Sequence, residues 1–392
     1  MRILQINNYG YVRGGSDRYF VDIGALLSRA GHDVNYFVPK SSKNVVDNEL
    51  AVEGFSIESP SISDLPRYFY SLSMRDAARK VMRSFRPDIV HLHIFYGQIT
   101  PSVLDVFGQD VPIVQTVHEY KLICPVASAT RDGRPCEDCG AGAYWRAAWH
   151  RCNRHSLARS VVSAGEAYLE RALRVRKKID HFIAVSDFVA KRLENNGFQR
   201  ADVSVLHNFV REEAFGEPDR SRGYFLYSGR LEEIKGVSTL LQAVSRVPSA
   251  QLIIAGDGGG RGGFEELVKQ LGISDRVRFV GFQPQENLRE LIRGSLCCVV
   301  PSEWNEPFGL VIIESFALGK PVIASRIGGM TEIVEDGKDG LLFTPGAVCE
   351  LVTKIEWVIS NLDVVAQMGQ AGQIKAKAKF SAEVHLANLL DI

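Results

Sequence analysis

The sequence predicts an α/β protein made of two successive doubly wound units. Short apolar runs alternate with amphipathic stretches along most of the chain, which is typical of parallel sheets with crossover helices. An aperiodic segment at residues 208–223, rich in Gly and charged side chains, divides this alternation into two series. A chain of 392 residues with 45% hydrophobic side chains is large enough to build two cores. Disorder is therefore excluded as the main state.

Each unit contains its own set of predicted strands and helices. In the first series, strands are predicted at residues 2–7, 33–38, 88–93, 112–117, 181–186 and 203–206. In the second series, they are predicted at residues 224–228, 251–255, 277–280, 296–300, 321–324 and 340–343. Helices are predicted at residues 16–30, 186–196, 237–247, 263–271 and 309–318. Open α/β sheets bind ligands at the carboxyl ends of their strands, so we expect the functional site in a cleft between the two sheets.

The composition excludes several classes of protein. The chain has 46 Lys and Arg against 46 Asp and Glu, and no stretch approaches the roughly 20 apolar residues needed to span a bilayer. Met1 leads directly into a strand pattern without a signal peptide, so we expect a cytoplasmic protein or one on the cytoplasmic face of a membrane. Seven cysteines, an odd number in a reducing compartment, argue against a disulfide framework.

The turn after the first strand of the second series carries two cations. Gly229 lets the backbone approach a ligand, and Arg230 and Lys235 lie just before a predicted helix. Two positive side chains beside a helix N-terminus would neutralise a diphosphate. Alternatively, both are surface residues that pair with the two glutamates between them. Taken alone, the turn favours the second interpretation.

A later loop carries two carboxylates eight positions apart. Glu306 follows an apolar strand, and Glu314 lies inside a helix that begins near Phe308 or Gly309. The backbone amides of Phe308, Gly309 and Leu310 would then point into the cleft as donors to sugar hydroxyls or phosphate. One carboxylate can orient a sugar and the other a ribose. Alternatively, Glu306 is a loop or capping residue and Glu314 is exposed, but this does not explain why Glu314 lies among large apolar residues.

These motifs together resemble one known family. The spacing of Glu306 and Glu314 is similar to the Glu-x7-Glu signature of retaining GT-B glycosyltransferases of family four, or glycosyl transferases group 1. Further similarity covers residues 228–236, 254–258, 317–325, 328–332 and 339–342. The resemblance implies two Rossmann-like domains that face each other across a cleft. The first, at residues 1–207, would bind the acceptor, and the second, at residues 224–378, would bind the nucleotide sugar. A linker at residues 208–223 would join them, and a last helix at residues 379–392 would cross back to the first domain.

The resemblance also implies an activity and roles for single residues. Arg230 and Lys235 would hold the donor diphosphate, while Glu306 would contact the donor sugar and Glu314 the ribose. No Asp-x-Asp motif occurs in the chain, so no divalent cation is expected at the donor. The implied reaction is a retaining transfer of a sugar from a UDP- or GDP-linked donor to a hydroxyl of a saccharide or lipid-linked acceptor, in cell-surface polysaccharide or glycoconjugate biosynthesis. A nucleotide-sugar epimerase and a non-catalytic sugar-nucleotide-binding protein are the alternatives.

Further positions are candidates for the donor site. Gly14 and Gly15 follow the first strand and open a helix, where the backbone can approach an anion, although a tight turn without a ligand would have the same pattern. His118 ends a predicted strand, and a lone histidine is more often structural than catalytic. Proteins of the family often have Asp after this histidine, whereas this chain has Glu119, and the resemblance implies that His118 helps to position the donor sugar. Phe282 is the candidate for a contact with the base.

Four cysteines are clustered in the first unit, with the spacing C-x11-C-x2-C-x12-C. They are Cys124, Cys136, Cys139 and Cys152. Thiolates two residues apart can share one metal ion, and two more would complete a tetrahedral zinc shell, in which His150 or His155 could replace one thiolate. A structural zinc site is therefore predicted. The alternative is a set of small buried residues or a redox-labile pair. An insert with such cysteines, at about residues 120–178, also resembles one found in a subset of the family.

The same insert is basic. Residues 121–178 contain 12 Lys and Arg against 5 Asp and Glu. This is either a solvated helical face or a surface that attracts anionic lipid headgroups or an acidic acceptor. Residues 156–178 predict an amphipathic helix whose apolar side packs on the domain and whose basic end, at 174–178, could contact a membrane. No nucleic-acid-binding motif is present, so no nucleic acid partner is expected.

Overall fold

The computed structural model describes residues 1–46, 64–108, 111–217 and 221–392. Its strands are β1 Arg2–Ile6, β2 Asp33–Phe37, β3 Ile89–Leu92, β4 Ile113–Val117, β5 Thr130–Arg131, β6 Arg134–Pro135, β7 His181–Ala184, β8 Val203–Val205, β9 Tyr224–Ser228, β10 Gln251–Ala255, β11 Val277–Gly281, β12 Ser295–Val300, β13 Val322–Ser325 and β14 Gly340–Phe343. Its helices are α1 Gly15–Arg29, α2 Leu65–Phe69, α3 Leu72–Phe85, α4 Trp145–Trp149, α5 Leu157–Ala172, α6 Asp187–Asn195, α7 Val237–Arg246, α8 Arg261–Gln270, α9 Gln285–Gly294, α10 Leu310–Ala317, α11 Met330–Ile333, α12 Val348–Ser360, α13 Leu362–Phe380 and α14 Ala382–Leu390. Residues 218–220 of the predicted linker lie outside the described residues.

Two parallel six-stranded sheets form the framework. Their strand orders are β2-β1-β3-β4-β7-β8 and β11-β10-β9-β12-β13-β14. Strands such as β12 and β13 are apolar along nearly their whole length because helices cover both faces of each sheet. The predicted α/β class with two doubly wound units is confirmed, and each predicted strand is present within two residues of its expected bounds.

One predicted helix is wrong in its length. The helix expected at residues 156–178 ends at Ala172, because Arg174 adopts a left-handed conformation with φ of 51°. The residues after it, Val175–Lys178, form a separate 3-10 turn in which Val175 is buried. The basic run is therefore not a continuation of the amphipathic helix. A short antiparallel hairpin of β5 and β6, which was not predicted, also lies in the insert.

The strand order places particular loops at the cleft. The order reverses next to β1 in the first sheet and next to β9 in the second, and such switch points open a crevice at the carboxyl ends of the strands. The β1–α1 turn, the turn after β9 and the loop between β12 and α10 all lie there. They meet across the domains, since a Cβ on Gly15 would lie 2.8 Å from Leu310 Cδ1.

The end of the chain returns to the first domain. Tyr19 and Ile23 of α1 belong to the same apolar cluster as Phe209 and Ala382, and Leu386 of α14 packs against it. The Tyr19 hydroxyl also lies 3.0 Å from His385 Nε2. Helix α14 therefore packs on α1. Within the described ranges, no helix combines the length and the apolar composition that crossing a membrane requires.

Candidate active site

The turn after β9 is shaped by glycines. Gly236 has φ of 69° and ends the 3-10 turn Glu233–Lys235, and a Cβ there would collide with the Pro301 carbonyl oxygen. A Cβ on Gly256, after β10, would likewise collide with the Gly229 carbonyl oxygen. Only glycine combines this conformation with this approach. The result is that Lys235 lies directly beside the loop that follows β12.

Lys235 and Glu306 form a buried ion pair. The Lys235 Nζ lies 2.6 Å from Glu306 Oε1, and the exposed fractions of the two side chains are 15% and 13%. The Ser302 hydroxyl donates a second hydrogen bond to the same oxygen, over 2.7 Å. Burial alone would raise the pKa of Glu306, but the Lys235 ammonium and the hydrogen bonds outweigh it and hold that pKa below its usual value. Glu306 is therefore an ionised carboxylate in the wall of the cleft.

Lys235 is also packed on an aromatic ring. Its Nζ lies 4.8 Å from the centroid of the Trp304 ring, within the range of a cation–π contact. The sequence left open whether Lys235 pairs with Glu232 or Glu233. In the structure, its ion pair is with Glu306 instead.

Arg230 has a more open position. Its guanidinium is 3.0 Å from Glu232 Oε1, and its side chain is 56% exposed. For Arg230, the surface pairing that the sequence left open is thus present. The guanidinium is also close enough to Glu119 of the first domain to favour the charged form of that carboxyl. Arg230 therefore lies at the mouth of the cleft, between the two domains.

Helix α10 begins with an unusual glycine. Gly309 has φ of 123°, and a Cβ there would lie 3.0 Å from Ile312 Cδ1 and 3.2 Å from Met330 Cγ. The side chain of Phe308 is buried against His207 and Phe380, with ring centroids 5.6 and 6.0 Å away. Phe308 can therefore offer a ligand only its backbone. The first amides of an α-helix have no acceptor within the helix, which leaves them as donors at the cleft.

Glu314 lies on α10 in a small cavity between the domains. Arg18 and Asp22 of α1, Arg211 of the interdomain segment and Gln285 of α9 also line that cavity. Burial raises the pKa of Glu314, and the nearby Arg18 guanidinium opposes the rise. Glu314 is therefore half-buried and faces the first domain, which excludes the exposed helical position that the sequence left open.

The Gly14–Gly15 turn is held by a buried carboxylate. Asp17 accepts hydrogen bonds from Asn7 Nδ2 at 3.0 Å and from the Arg13 amide at 3.2 Å. A Cβ on Gly14 would meet no atom within 4 Å, so this side of the turn is open. Gly15 faces the start of α10. Gly15 thus lies between the domains, next to Leu310.

His118 lies in a chain of polar side chains at the carboxyl ends of β1, β3 and β4. Its Nε2 is 3.1 Å from His93 Nδ1, and His93 Nε2 is 2.6 Å from Gln5 Oε1. The His118 ring also contacts Tyr19 edge to face, at 5.0 Å between centroids. Burial lowers the pKa of His118 to about 3, so its imidazole is neutral. The partner His93 was missed, although it alternates with His91 along β3.

Glu119 faces the cleft next to His118. Burial raises the pKa of Glu119 to about 7, and Lys121 and Arg230 oppose this rise. Lys121 itself forms a buried ion pair with Glu166 of α5. This pair fixes the start of the insert to α5. Glu119 is therefore a carboxyl whose charge changes close to neutral pH.

Glu332 connects the two domains and was not predicted as a site residue. It accepts hydrogen bonds from the amides of Asp187 and Phe188 at the start of α6, at 2.8 and 2.7 Å. His207 Nε2 lies 3.3 Å from the same carboxylate. The glycine pair before it, Gly328 and Gly329, also packs on the loop that carries Glu306, since the Gly329 amide donates to the Glu306 carbonyl oxygen at 2.9 Å. Phe282, the candidate for a contact with the base, lies after β11, and its side chain is 65% exposed.

The four clustered cysteines line one cavity in the insert. Cys124, Cys136, Cys139 and Cys152 are all half-buried free thiols. His150 and His155 do not line this cavity. Among the described residues, Asp187, His207 and Glu332 form a group of three metal-binding residue types whose ligand atoms all lie within 4.8 Å of one another. The four cysteine sulfurs do not form such a group.

Two parallel six-stranded sheets with a cleft between them are the architecture of the GT-B class. The chain belongs to this family: the family model described as Glycosyltransferase Family 4 matches residues 13–214, and the one described as Glycosyl transferases group 1 matches residues 209–375. The protein is thus a glycosyltransferase.

Proteins similar to this chain have different activities. D-inositol 3-phosphate glycosyltransferase of Mycolicibacterium smegmatis is 32% identical over 410 residues, which cover 96% of this chain and 84% of that protein. Glycogen synthase of Mycobacterium tuberculosis is 29% identical over 426 residues, covering 99% and 95%. The lipopolysaccharide core biosynthesis glycosyltransferase LpsE of Rhizobium meliloti is 29% identical over 214 residues, covering 53% of this chain and 62% of that protein.

Solved structures share the fold. Sucrose-phosphate synthase from Thermosynechococcus elongatus superposes with a TM-score of 0.78 at 21% identity, covering 100% of this chain and 97% of that one. Anabaena HepE in complex with UDP-glucose has a TM-score of 0.71 at 20% identity, covering 100% and 98%.

Proposed function

We propose that the protein is a retaining glycosyltransferase that moves a sugar from a UDP- or GDP-linked donor to a hydroxyl of a saccharide or lipid-linked acceptor, in cell-surface polysaccharide or glycoconjugate biosynthesis. The observation that carries this proposal is the meeting of the Lys235–Glu306 pair, the Gly15 turn and the start of α10 at the switch points of both sheets. The similar HepE structure contains UDP-glucose, which supports a nucleotide-sugar donor. The similar proteins named above differ in their products, so the acceptor is proposed only as a class.

The difficult step in this reaction is the departure of the diphosphate. Its developing negative charge needs donors that are already in position. We assign this task to Arg230, Lys235 and the amides of Gly309 and Leu310, with Gly229 allowing the phosphates to approach the backbone. The chain has no Asp-x-Asp motif, and two cations in a half-enclosed cleft can supply the charge that a divalent cation would supply. Donor binding without a metal ion follows from this assignment.

The remaining site residues orient the donor. Ionised Glu306 can accept hydrogen bonds from sugar hydroxyls and favours positive charge that develops on the sugar ring. Neutral His118 can donate or accept one hydrogen bond, but it is not a charged acid. Glu314 is proposed to hold the ribose and Phe282 to contact the base, while Gly14 leaves room for the phosphates. Departure and attack on the same face of the sugar would give retention, and closure of the domains would exclude water.

The epimerase alternative requires the same ligand but no acceptor. The experiment is to incubate the protein with UDP- and GDP-sugars in EDTA, with and without saccharide acceptors, and to follow the products by NMR. We expect transfer only when an acceptor is present, with an anomeric configuration equal to that of the donor. Isomerisation of the donor alone would identify an epimerase. Donor binding without any product from a broad acceptor panel would favour the non-catalytic alternative.

We also propose that the insert contacts an anionic membrane, which would place the protein on the cytoplasmic face. The exposed side chains of Trp145 and Trp149 on α4 and of Leu157 and Val161 on α5 are 54%, 75%, 51% and 52% accessible. Four arginines surround them in the sequence: Arg146, Arg151, Arg154 and Arg159. Tryptophan beside cations is typical of surfaces that bind the interface of an anionic bilayer. This surface replaces the 174–178 run as the candidate, because that run is not on the helix.

Flotation with phosphatidylglycerol vesicles at low salt tests the membrane proposal. We expect the protein to float and a Trp149→Ser variant to float less, while Ile374→Ser, at an equally exposed residue on α13, floats like the wild type. Equal recovery of all three proteins in the unbound fraction would contradict it.

A further inference from the structure

The insert contains a cluster of four cysteines that the proposed transfer reaction does not use. Three separate pieces of backbone bring its cysteines to one cavity. Cys124 follows the turn at Tyr120, whose carbonyl oxygen accepts from the Cys124 amide at 2.8 Å. The Cys136 amide donates to the Ala129 carbonyl oxygen at 2.8 Å, and the Cys152 amide to the Ala147 carbonyl oxygen at 3.0 Å. We propose that Cys124, Cys136, Cys139 and Cys152 together bind one structural zinc ion.

The backbone of the insert is rich in left-handed residues, which favours such a crosslink. In the described part of the chain, seven of the ten non-glycine residues with positive φ lie between residues 127 and 155. They are Ala127, Ala129, Asp132, Ala141, Arg151, Arg154 and His155. Left-handed conformations of such residues are unfavourable and persist only where the surroundings enforce them. The regular structure there is short, with strands of two residues and a helix of five.

A buried arginine at the cavity supports the same conclusion. Arg192 of α6 lines the cavity with the four thiols and is 5% exposed. One of its terminal nitrogens lies 2.9 Å from Glu137 Oε1, but within the described residues its Nε has no hydrogen-bond partner. A zinc ion with four thiolates carries two net negative charges, and such sites are completed by donors to the sulfurs and by nearby cations. Arg192 offers both.

The two carboxylates that line the cavity, Glu137 and Asp138, are already engaged. Glu137 pairs with Arg192, and Asp138 pairs with Arg131. His150 and His155 lie outside the cavity lining. The thiols are therefore the available ligands, and four thiolates around one point are the donor set of closed, structural zinc sites. In such a site each sulfur lies about 2.3 Å from the ion, so binding would draw the four sulfurs together.

The ion would fix the wall of the cleft on the first domain. Cys124 is five residues after Glu119, and between them the Tyr120 hydroxyl donates to the Asn305 carbonyl oxygen of the second domain at 2.8 Å. A crosslink at Cys124 thus holds the segment that carries Glu119 against the loop that carries Glu306. Its role is to position this segment, and it does not touch the donor.

Metal analysis of protein purified without chelator or metal-affinity resin tests the proposal. We expect about one zinc per chain, and less than about a tenth of that in Cys139→Ser, while Cys349→Ser, at an exposed thiol outside the insert, keeps the full content. Cobalt added to chelator-stripped wild-type protein should give the visible bands of a tetrahedral thiolate complex, which keeps the test valid if Cys139→Ser does not fold. No stoichiometric zinc, iron in its place, or an unchanged zinc content in Cys139→Ser would overturn the proposal.

Discussion

The Lys235–Glu306 pair gives the sharpest prediction. Replacing Lys235 by Met keeps the aliphatic stem on Trp304 but leaves the carboxylate of Glu306, which is 13% exposed, with Ser302 as its remaining partner. Two charges 2.6 Å apart attract by about 6 kcal/mol at an effective dielectric constant of about 20, before desolvation is subtracted. Breaking a buried pair on one side costs about 3–5 kcal/mol, and the retained Ser302 hydrogen bond favours the lower end. We therefore expect Lys235→Met to lose about 3 kcal/mol.

For a domain of roughly 150 residues, this loss lowers the melting temperature by about 6–12 °C. The same variant should lose about 100- to 1,000-fold in turnover, because one preorganised cation at the leaving group is removed. The double variant Lys235→Met/Glu306→Gln leaves no unpaired buried charge. It should therefore regain most of the lost melting temperature but none of the lost turnover. Lys269→Met, at a mostly exposed lysine on α8, is the matched control and should leave both quantities unchanged.

The two quantities are measured by differential scanning calorimetry and by the release of nucleoside diphosphate from the donor. Lys235→Met melting at the wild-type temperature would show that the pair is not buried as described. Recovery of turnover in the double variant would show that Lys235 serves only to neutralise Glu306, which refutes its assignment to the diphosphate.

Three further predictions concern the rim of the cleft. Arg230→Ala should reduce turnover by at least tenfold with an unchanged melting temperature, because this guanidinium is 56% exposed, and a large fall in stability would contradict its position. Gly15→Leu should raise KM for the donor, because its Cβ would meet Leu310 at 2.8 Å, and an unaltered KM would mean that the turn does not face the donor. Since burial raises the pKa of Glu119 to about 7, the folded state binds this proton more tightly than the unfolded state. The free energy of unfolding should therefore fall as pH rises through about 7. Glu119→Gln should reduce that fall, which melting scans between pH 5 and 8 would measure. The same dependence of melting temperature on pH in both proteins would contradict the raised pKa of Glu119.

The sheets were predictable from the sequence for a physical reason. Parallel strands covered on both faces are apolar along their length, so runs such as those of β12 and β13 are visible without any tertiary information. The β5–β6 hairpin was not predicted because its two short strands contain arginine and proline and no apolar run. The end of α5 was wrong because it depends on a left-handed Arg174, a position at which composition predicts continued helix.

The candidate site was predictable only in part. Gly229, Arg230 and Lys235 are local to one turn, and their motif is visible in the sequence. The contact of Lys235 with Glu306 joins residues 71 positions apart and exists because β9 pairs with β12 in the sheet. The pKa of Glu119 and the contact of His118 with His93 likewise depend on burial that only the folded chain creates. Local patterns therefore identify side chains, while the strand order decides their partners.

The central claim is that a nucleoside diphosphate binds to this cleft through protein cations and helix amides. A crystal structure of the protein grown with UDP or GDP in the presence of EDTA tests it most directly. We expect the two phosphates within hydrogen-bonding distance of the Arg230 guanidinium, Lys235 Nζ and the first amides of α10. Phosphates bound elsewhere, or occupancy that appears only when magnesium or manganese is added, would contradict the claim.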